Sequence, residues 1–453
     1  DFSLYDHVLD TAFMFGLIPE RFRRDQGEDR LDTYFSVARG SQNAVASEMT
    51  KWFNTNYHYI VPELEASEPE LAENLPLAYY REAKEKLDIA GKPVILGPVT
   101  FLKLAKGYGE GEFDTWLDKI VPLYSVVLKE LQDEGVEWVQ LDEPVLGLDV
   151  DDAEIARFRK VYNTLNLAAP KLNLLLQTYF ESVDRYREVV DLPVQGIGLD
   201  FVHDRGANLA ALKDEGFPED KVLAAGVVDG RNIWRADLTK KRELLGAILE
   251  HVSSDRLVVQ PSCSLLHVPV TTAREDGLDP VLREALAFAD EKLFEVSTLV
   301  EAVNEGEEKV SDKLEESAAA VRRLNESPER NVEVVKEAAA RLETERTERQ
   351  SPYSERRKHH ERRFRLPILP TTTIGSLPQT TEVRRARRLW RKGEWDDGRY
   401  ELFVKDEIKK WIDIQEEIGL DVLIHGEFER NDMVEYFGEH LQGFAATRYA
   451  WVQ

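Results

Sequence analysis

The chain has 453 residues, 42% of them apolar, and a formal charge of −26 from 85 acidic against 59 basic side chains. Such a surface repels phosphate backbones and anionic lipid, so nucleic acid and membranes are poor partners, and no apolar run is long enough to cross a bilayer. One cysteine, Cys263, forbids an internal disulfide and a multi-thiolate metal site, and fits a reducing cytoplasm.

The length predicts two domains rather than one core. The sequence opens on DFSLYDHVLD, without the basic and apolar regions of an export signal, which also points to the cytoplasm. The acid excess is spread along the chain, as in PELEASEPELAEN, and reads either as solvation in a salty cytoplasm or as ordinary acidic composition.

Six β-branched runs then recur: PVILGPVT (93–100), VEWVQLDEP (136–144), LNLLLQTYF (172–180), VQGIGLDFV (194–202), VLAAGVVDG (222–230) and RLVVQPSCS (256–264). They are too continuous for half-exposed antiparallel strands and predict parallel strands buried on both faces. Helical patterns lie between them. The clearest runs from 113 to 134, with Trp116, Ile120, Leu123, Val127 and Leu131 on one face and Gly135 as the stop. Strand and helix alternating in this way indicate an α/β sheet or barrel. The first domain is predicted over 1–292.

From 293 to 366 the pattern becomes Glu/Arg/Ala-rich helix, a connector with Leu314, Val321, Leu324, Val334, Val335 and Leu342 as a thin apolar stripe. Its basic end, SERRKHHERRFR, reads as a solvated helix face in preference to a nucleic-acid patch, with an anionic ligand tail as a further alternative. From 367 to 453 the strand–helix grammar resumes: TTTIGS is a predicted strand. FVKDEIKKWIDIQEEIG is a helix with Val404, Ile408, Trp411, Ile412 and Ile418 inward, and DVLIHGE is the next strand.

Ligand sites of parallel barrels form at the carboxyl ends of the strands. Ser376 and Glu427 stand at two such ends, and Asp142 and Glu143 at another. A carboxylate there can hold a substrate ammonium, and nearby amides and a hydroxyl can hold a carboxylate, which together suit an amino acid. An ion pair between Glu427 and Arg430 is the plainer alternative.

Seven segments carry a resemblance: EMTKWFNTNYHYIVPE (48–63), GPVTFL (97–102), WVQLDEPVL (138–146), GRNIWRADL (230–238), SCSLLH (262–267), TTTIGSLPQTTE (371–382) and HGEFERNDMVEYFGEHLQGF (425–444). In this order they closely resemble cobalamin-independent methionine synthase. The resemblance implies two (β/α)8 TIM-type barrels joined by a long helical linker, the first lacking its initial strands and the second only begun in this chain. It implies methyl transfer from 5-methyltetrahydropteroyltriglutamate to L-homocysteine by a monomeric enzyme that uses zinc and no cobalamin. The family's zinc ligands, and the histidine proposed as its proton donor, are expected beyond Gln453, leaving this chain alone inactive. Ile374, Gly375, Ser376 and Glu427 match homocysteine-binding positions, and Lys51 matches a lysine that binds the polyglutamyl folate. Leu377 departs from the family's usual phenylalanine. Cys263 lies where the second barrel has its last zinc cysteine, but Gln177, Thr178 and Tyr179 replace the other ligands, so it reads as a buried structural thiol, as His58, His203 and His267 read as packing or hydrogen-bonding residues. Two rival readings are a non-catalytic binding or assembly module and a single barrel of six strands plus two.

Overall fold

The computed structural model describes residue 3 and residues 5–23, 30–64 and 68–450. A hairpin with no clear hydrophobic alternation comes first: β1 (Met49–Lys51) pairs antiparallel with β2 (His58–Ile60). All six β-branched runs then form strands: β3 (Val94–Leu96), β4 (Trp138–Asp142), β5 (Asn173–Gln177), β6 (Gly196–Asp200), β7 (Val222–Val228) and β8 (Leu257–Pro261). They make one parallel sheet in sequential order.

That sheet curls. The Gln260 side chain on β8 donates to Oε1 of Gln177 on β5 at 2.7 Å, although these strands are separated by two others, each step adding about 4.8 Å in a flat sheet. Gly198 makes the interior bond possible, because a Cβ there would lie 1.9 Å from Gln177 Oε1. β3 and β8 each have one strand neighbour among the described residues.

The helix predicted at 113–134 runs Phe113–Asp133 and buries Trp116, Ile120, Val127 and Leu131, with Leu123 half-buried. Gly135 then takes a φ of 88° and stops it. The connector is helical but interrupted. Helices Ala289–Glu305 and Ser311–Glu326 bury Leu299, Ala302 and Leu314 in the core of the sheet unit. The stripe expected to continue through Val334, Val335 and Leu342 does not: helix Glu333–Thr344 has no buried residue and leaves all three exposed. Apolar spacing fixes which side of a helix a residue lies on, but not whether anything packs there. Helix Tyr353–Phe364, the basic end, likewise buries nothing. The chain divides into two compact units between Asn325 and Glu326, the second unit ending at Ala446. Among the described residues no helix is long and apolar enough to cross a membrane.

At the carboxyl ends of β6 and β7 lies a largely buried polar cluster. His203 Nδ1 lies 2.9 Å from Asp200 Oδ2 and its Nε2 lies 3.5 Å from Asp229 Oδ2. Burial alone would depress the imidazole, but the hydrogen bonds to both carboxylates outweigh it and raise His203 from 6.5 to about 9. A histidine raised in the folded state stabilises fully below its unfolded value and loses that stabilisation as pH climbs through the folded one. The melting temperature is therefore expected to fall between about pH 6.5 and 9. His203→Gln is expected to flatten that slope; an unchanged slope by calorimetry would remove the cluster as its cause.

Candidate functional site

In the second unit, helices Thr381–Arg391 and Asp397–Ile418 enclose a small core of Val383, Ala386, Tyr400, Val404 and Phe428. Ile408, Trp411 and Ile412 are half-buried, but Ile418, expected inward, is exposed in the last turn before Gly419. The two strands expected at TTTIGS and DVLIHGE are not formed. They run parallel through Val422 N to Thr371 O (3.1 Å) and Leu377 N to Gly426 O (3.0 Å), and they meet as a single parallel bridge at Ser376 and Gly426. The reason is local competition. The buried Gln415 side chain accepts from Ile424 N at 3.0 Å and donates to Ile424 O at 2.8 Å, using the groups a ladder would pair. A lone parallel pair has little stability to oppose this.

That bridge brings the predicted residues together. Gly375 has a φ of 114°, which favours glycine, and a Cβ on it would sit 3.2 Å from Glu427 Oε1, so the carboxylate lies close against the Gly375 backbone. Glu427 itself has a φ of 62°, a left-handed conformation rarely taken by a non-glycine residue. Its amide donates to His425 Nδ1 at 3.1 Å. Its carboxylate pairs with Arg430, whose Nε donates to Oε2 at 3.2 Å. The ion pair considered from the sequence is thus present, yet the Glu427 side chain keeps 27% of its surface exposed. Ser376 is exposed and Ile374 is 96% exposed. An accessible carboxylate, an exposed serine and a glycine backbone thus lie around one bridge, groups able to take an ammonium and a carboxylate.

The other acidic strand end has a different fate. Glu143 is fully buried and accepts from Val99 N (3.1 Å), Thr100 N (2.7 Å), Thr100 Oγ1 (2.6 Å) and Tyr162 Oη (3.1 Å). Burial pushes its carboxyl up to about 7 against these hydrogen bonds. Asp142, one residue earlier, instead faces a cavity of about 680 Å³ lined also by His7, Trp52, Tyr80, Tyr179 and His267. Burial raises Asp142 to about 6, opposed by bonds from Gln140 and Tyr179, and burial lowers His7 and His267 to about 3 and 4, leaving both imidazoles neutral near pH 7.

Lys51 ends β1 opposite His58 and is exposed, beside Trp52, which is buried on the His7 ring. It makes no ion pair among the described residues. The hairpin loop that follows is tied to the sheet by Arg231 Nη2, which donates to Asn54 O at 3.0 Å and lies over the Phe180 ring. Cys263 is buried, and burial raises its thiol well above its ordinary value. Among the described residues no three His, Cys, Asp or Glu side chains converge as a metal site. These residues therefore do not fit a zinc ion.

Sequence reasoning missed Arg387. It stands in VRRARRLWR among four other arginines, and only its place four residues after Val383, on the buried side of the helix, distinguishes it. Its guanidinium donates to Gln379 Oε1, Phe428 O and Arg430 O, each at 3.0 Å.

Two family profiles match the chain: "Cobalamin-independent synthase, N-terminal domain" over residues 1–253 and "Cobalamin-independent synthase, Catalytic domain" over residues 369–453. Among curated relatives, the 5-methyltetrahydropteroyltriglutamate–homocysteine methyltransferase of Listeria monocytogenes serotype 4b (strain F2365) is 56% identical over 453 residues. Those of Halalkalibacterium halodurans and Bacillus subtilis (strain 168) are 54% and 50% identical. Each alignment covers 100% of this chain and 59% of the relative, so the chain spans about three fifths of their length.

Proposed function

Because the chain belongs to the cobalamin-independent synthase family, we propose that it serves methyl transfer from 5-methyltetrahydropteroyltriglutamate to L-homocysteine. In this reading residues 1–292 form a (β/α) barrel that binds the folate tail, 293–366 a helical linker, and 367–453 the beginning of a second, catalytic barrel. The observation that carries the reading is the Ser376–Gly426 bridge, which sets the Glu427 carboxylate over Gly375.

The homocysteine ammonium binds the Glu427 carboxylate, sharing it with or displacing Arg430. Its carboxylate takes the Ser376 hydroxyl and the backbone amides of Ile374–Ser376. Two charged ends held on opposite sides of one backbone crossing leave the thiol arm a single direction in which to extend, which is the orienting part of catalysis. Zinc, when bound, would supply thiol activation in this family, but no described residue is assigned as its ligand; the reading involves no cobalamin.

Lys51 meets the carboxylates of the polyglutamyl tail. An exposed pair of this kind contributes about 0.2–1 kcal/mol, so Lys51→Ala is expected to raise the folate KM by about 1.4- to fivefold. The penalty is larger for a triglutamate than a monoglutamate, and the homocysteine KM is unchanged. The assay uses the zinc-loaded full-length protein carrying this sequence. Absence of methyl transfer there overturns the function, and a penalty independent of tail length overturns the role of Lys51.

A further inference from the structure

We propose that Arg387 is a positioning residue that sets the distance between the two halves of the amino-acid site, holding the Ile374–Ser376 segment and the Glu427 loop in register. The inference rests on the homocysteine reading above. Its basis is the set of groups that one guanidinium reaches. Gln379 lies three residues after Ser376, and its side-chain Oε1 accepts from Arg387 Nη2 at 3.0 Å. The carbonyls of Phe428 and Arg430 belong to the loop that begins at Glu427, and both accept from the same nitrogen at 3.0 Å. Nη1 reaches Asn431 Oδ1 at 3.5 Å. One side chain thus links the loop after Ser376 to the loop after Glu427, and the residues that would touch substrate lie just before its anchor points.

Backbone bonding between the two segments is sparse. The Ser376–Gly426 bridge and the Leu377–Gly426 bond hold one end, and the Val422–Thr371 bond the other. Beyond Gly426 the chain turns through the left-handed conformation of Glu427, so no further ladder bond can fix where that carboxylate points. Phe428, fully buried against Gly426, and Arg387 anchor the backbone of that loop, while Arg430 pairs with the carboxylate itself.

The cost of the arrangement argues that position is what it supplies. Arg387 is 6% exposed and makes no ion pair among the described residues. A buried cation with only carbonyl and amide acceptors is unfavourable beside an apolar side chain of similar volume. What an apolar residue cannot do is donate hydrogen bonds from one planar guanidinium to oxygens of two segments. The neighbours Val383 and Ala386 already supply apolar contact on that helix face.

The test compares Arg387→Lys, which keeps the charge but loses the fork, with Gln379→Leu, which removes only the acceptor on the Ser376 side. Both are made in the zinc-loaded full-length protein carrying this sequence. Each is expected to raise the homocysteine KM, Arg387→Lys by about ten- to a hundredfold, as a misplacement of about 1 Å does. The KM for the folate stays within about twofold, which uniform loss of folded protein would also leave unmoved while lowering only the apparent kcat. In a Glu427→Gln background Arg387→Lys is expected to add little, because it acts through Glu427. Full additivity with Glu427→Gln, or parallel rises for both substrates, overturns the positioning role. If Arg387→Lys does not fold, Gln379→Leu decides: an unchanged homocysteine KM overturns the proposal. If Glu427→Gln itself leaves homocysteine binding intact, the amino-acid site reading fails, a result distinct from failure of Arg387 alone.

Discussion

Glu427→Gln is expected to weaken homocysteine binding by about ten- to a hundredfold while leaving the folate KM nearly unchanged. The amide keeps the shape of the side chain over Gly375 but loses the charge that meets the substrate ammonium in the proposed function, and a hydrogen bond to a charged group contributes about 1.5–3 kcal/mol. The Glu427–Arg430 pair supplies the control. If Glu427 only anchored Arg430, then Arg430→Ala and Glu427→Gln would have the same effect, and both substrates would suffer alike. If Glu427 binds the ammonium, Arg430→Ala removes a competing cation and the two variants diverge in the homocysteine titration. Matching profiles for the two variants would sink the assignment.

Glu143→Ala is expected to destabilise the sheet unit by on the order of 4 kcal/mol, a large fraction of the margin of a typical domain. Four donors converge on that carboxylate, two of them main-chain amides in the first turn of helix Pro98–Leu104. Each buried donor left without an acceptor costs about 1–3 kcal/mol, and water entering the vacated space recovers only part. Gly97→Ala is expected to act on the same joint from the other side, since its Cβ would lie 2.2 Å from Glu143 Cδ. A urea midpoint in Glu143→Ala that moved by less than the equivalent of about 1 kcal/mol would show that the four bonds are replaceable. Their role is then solubility of a buried charge rather than attachment of the helix to β4.

Several features were legible because they depend on local pattern alone. Continuous β-branched runs between helical stretches specify parallel strands, and all six such runs joined one sheet, although β8, expected to be buried on both faces, has no buried residue and leaves Val258 exposed, because it stands at the sheet's edge among the described residues. Apolar residues at helical spacing with a glycine after them specify a helix and its end, as at Phe113–Asp133 before Gly135. The strand–helix–strand order placed TTTIGS beside DVLIHGE, and Ser376 and Gly426 do meet there, as a single bridge. What the sequence could not determine is what stands across from each element. Glu143 and Glu427 occupy equivalent strand ends in the sequence, but a helix N-terminus and a tyrosine enclose the first, whereas the second faces outward with a single arginine. The segments around 371–376 and 421–427 carry a strand's composition, but the Gln415 amide takes the bonds of Ile424 and the ladder stops at one bridge. Arg387 looks like any arginine of its run until Gln379 and the Phe428 carbonyl arrive beside it. Periodicity reports the side of a helix or strand on which a residue lies; hydrogen-bond partnership is set by elements distant in sequence, and only their packing decides whether a charge is buried in the fold or left to meet a ligand.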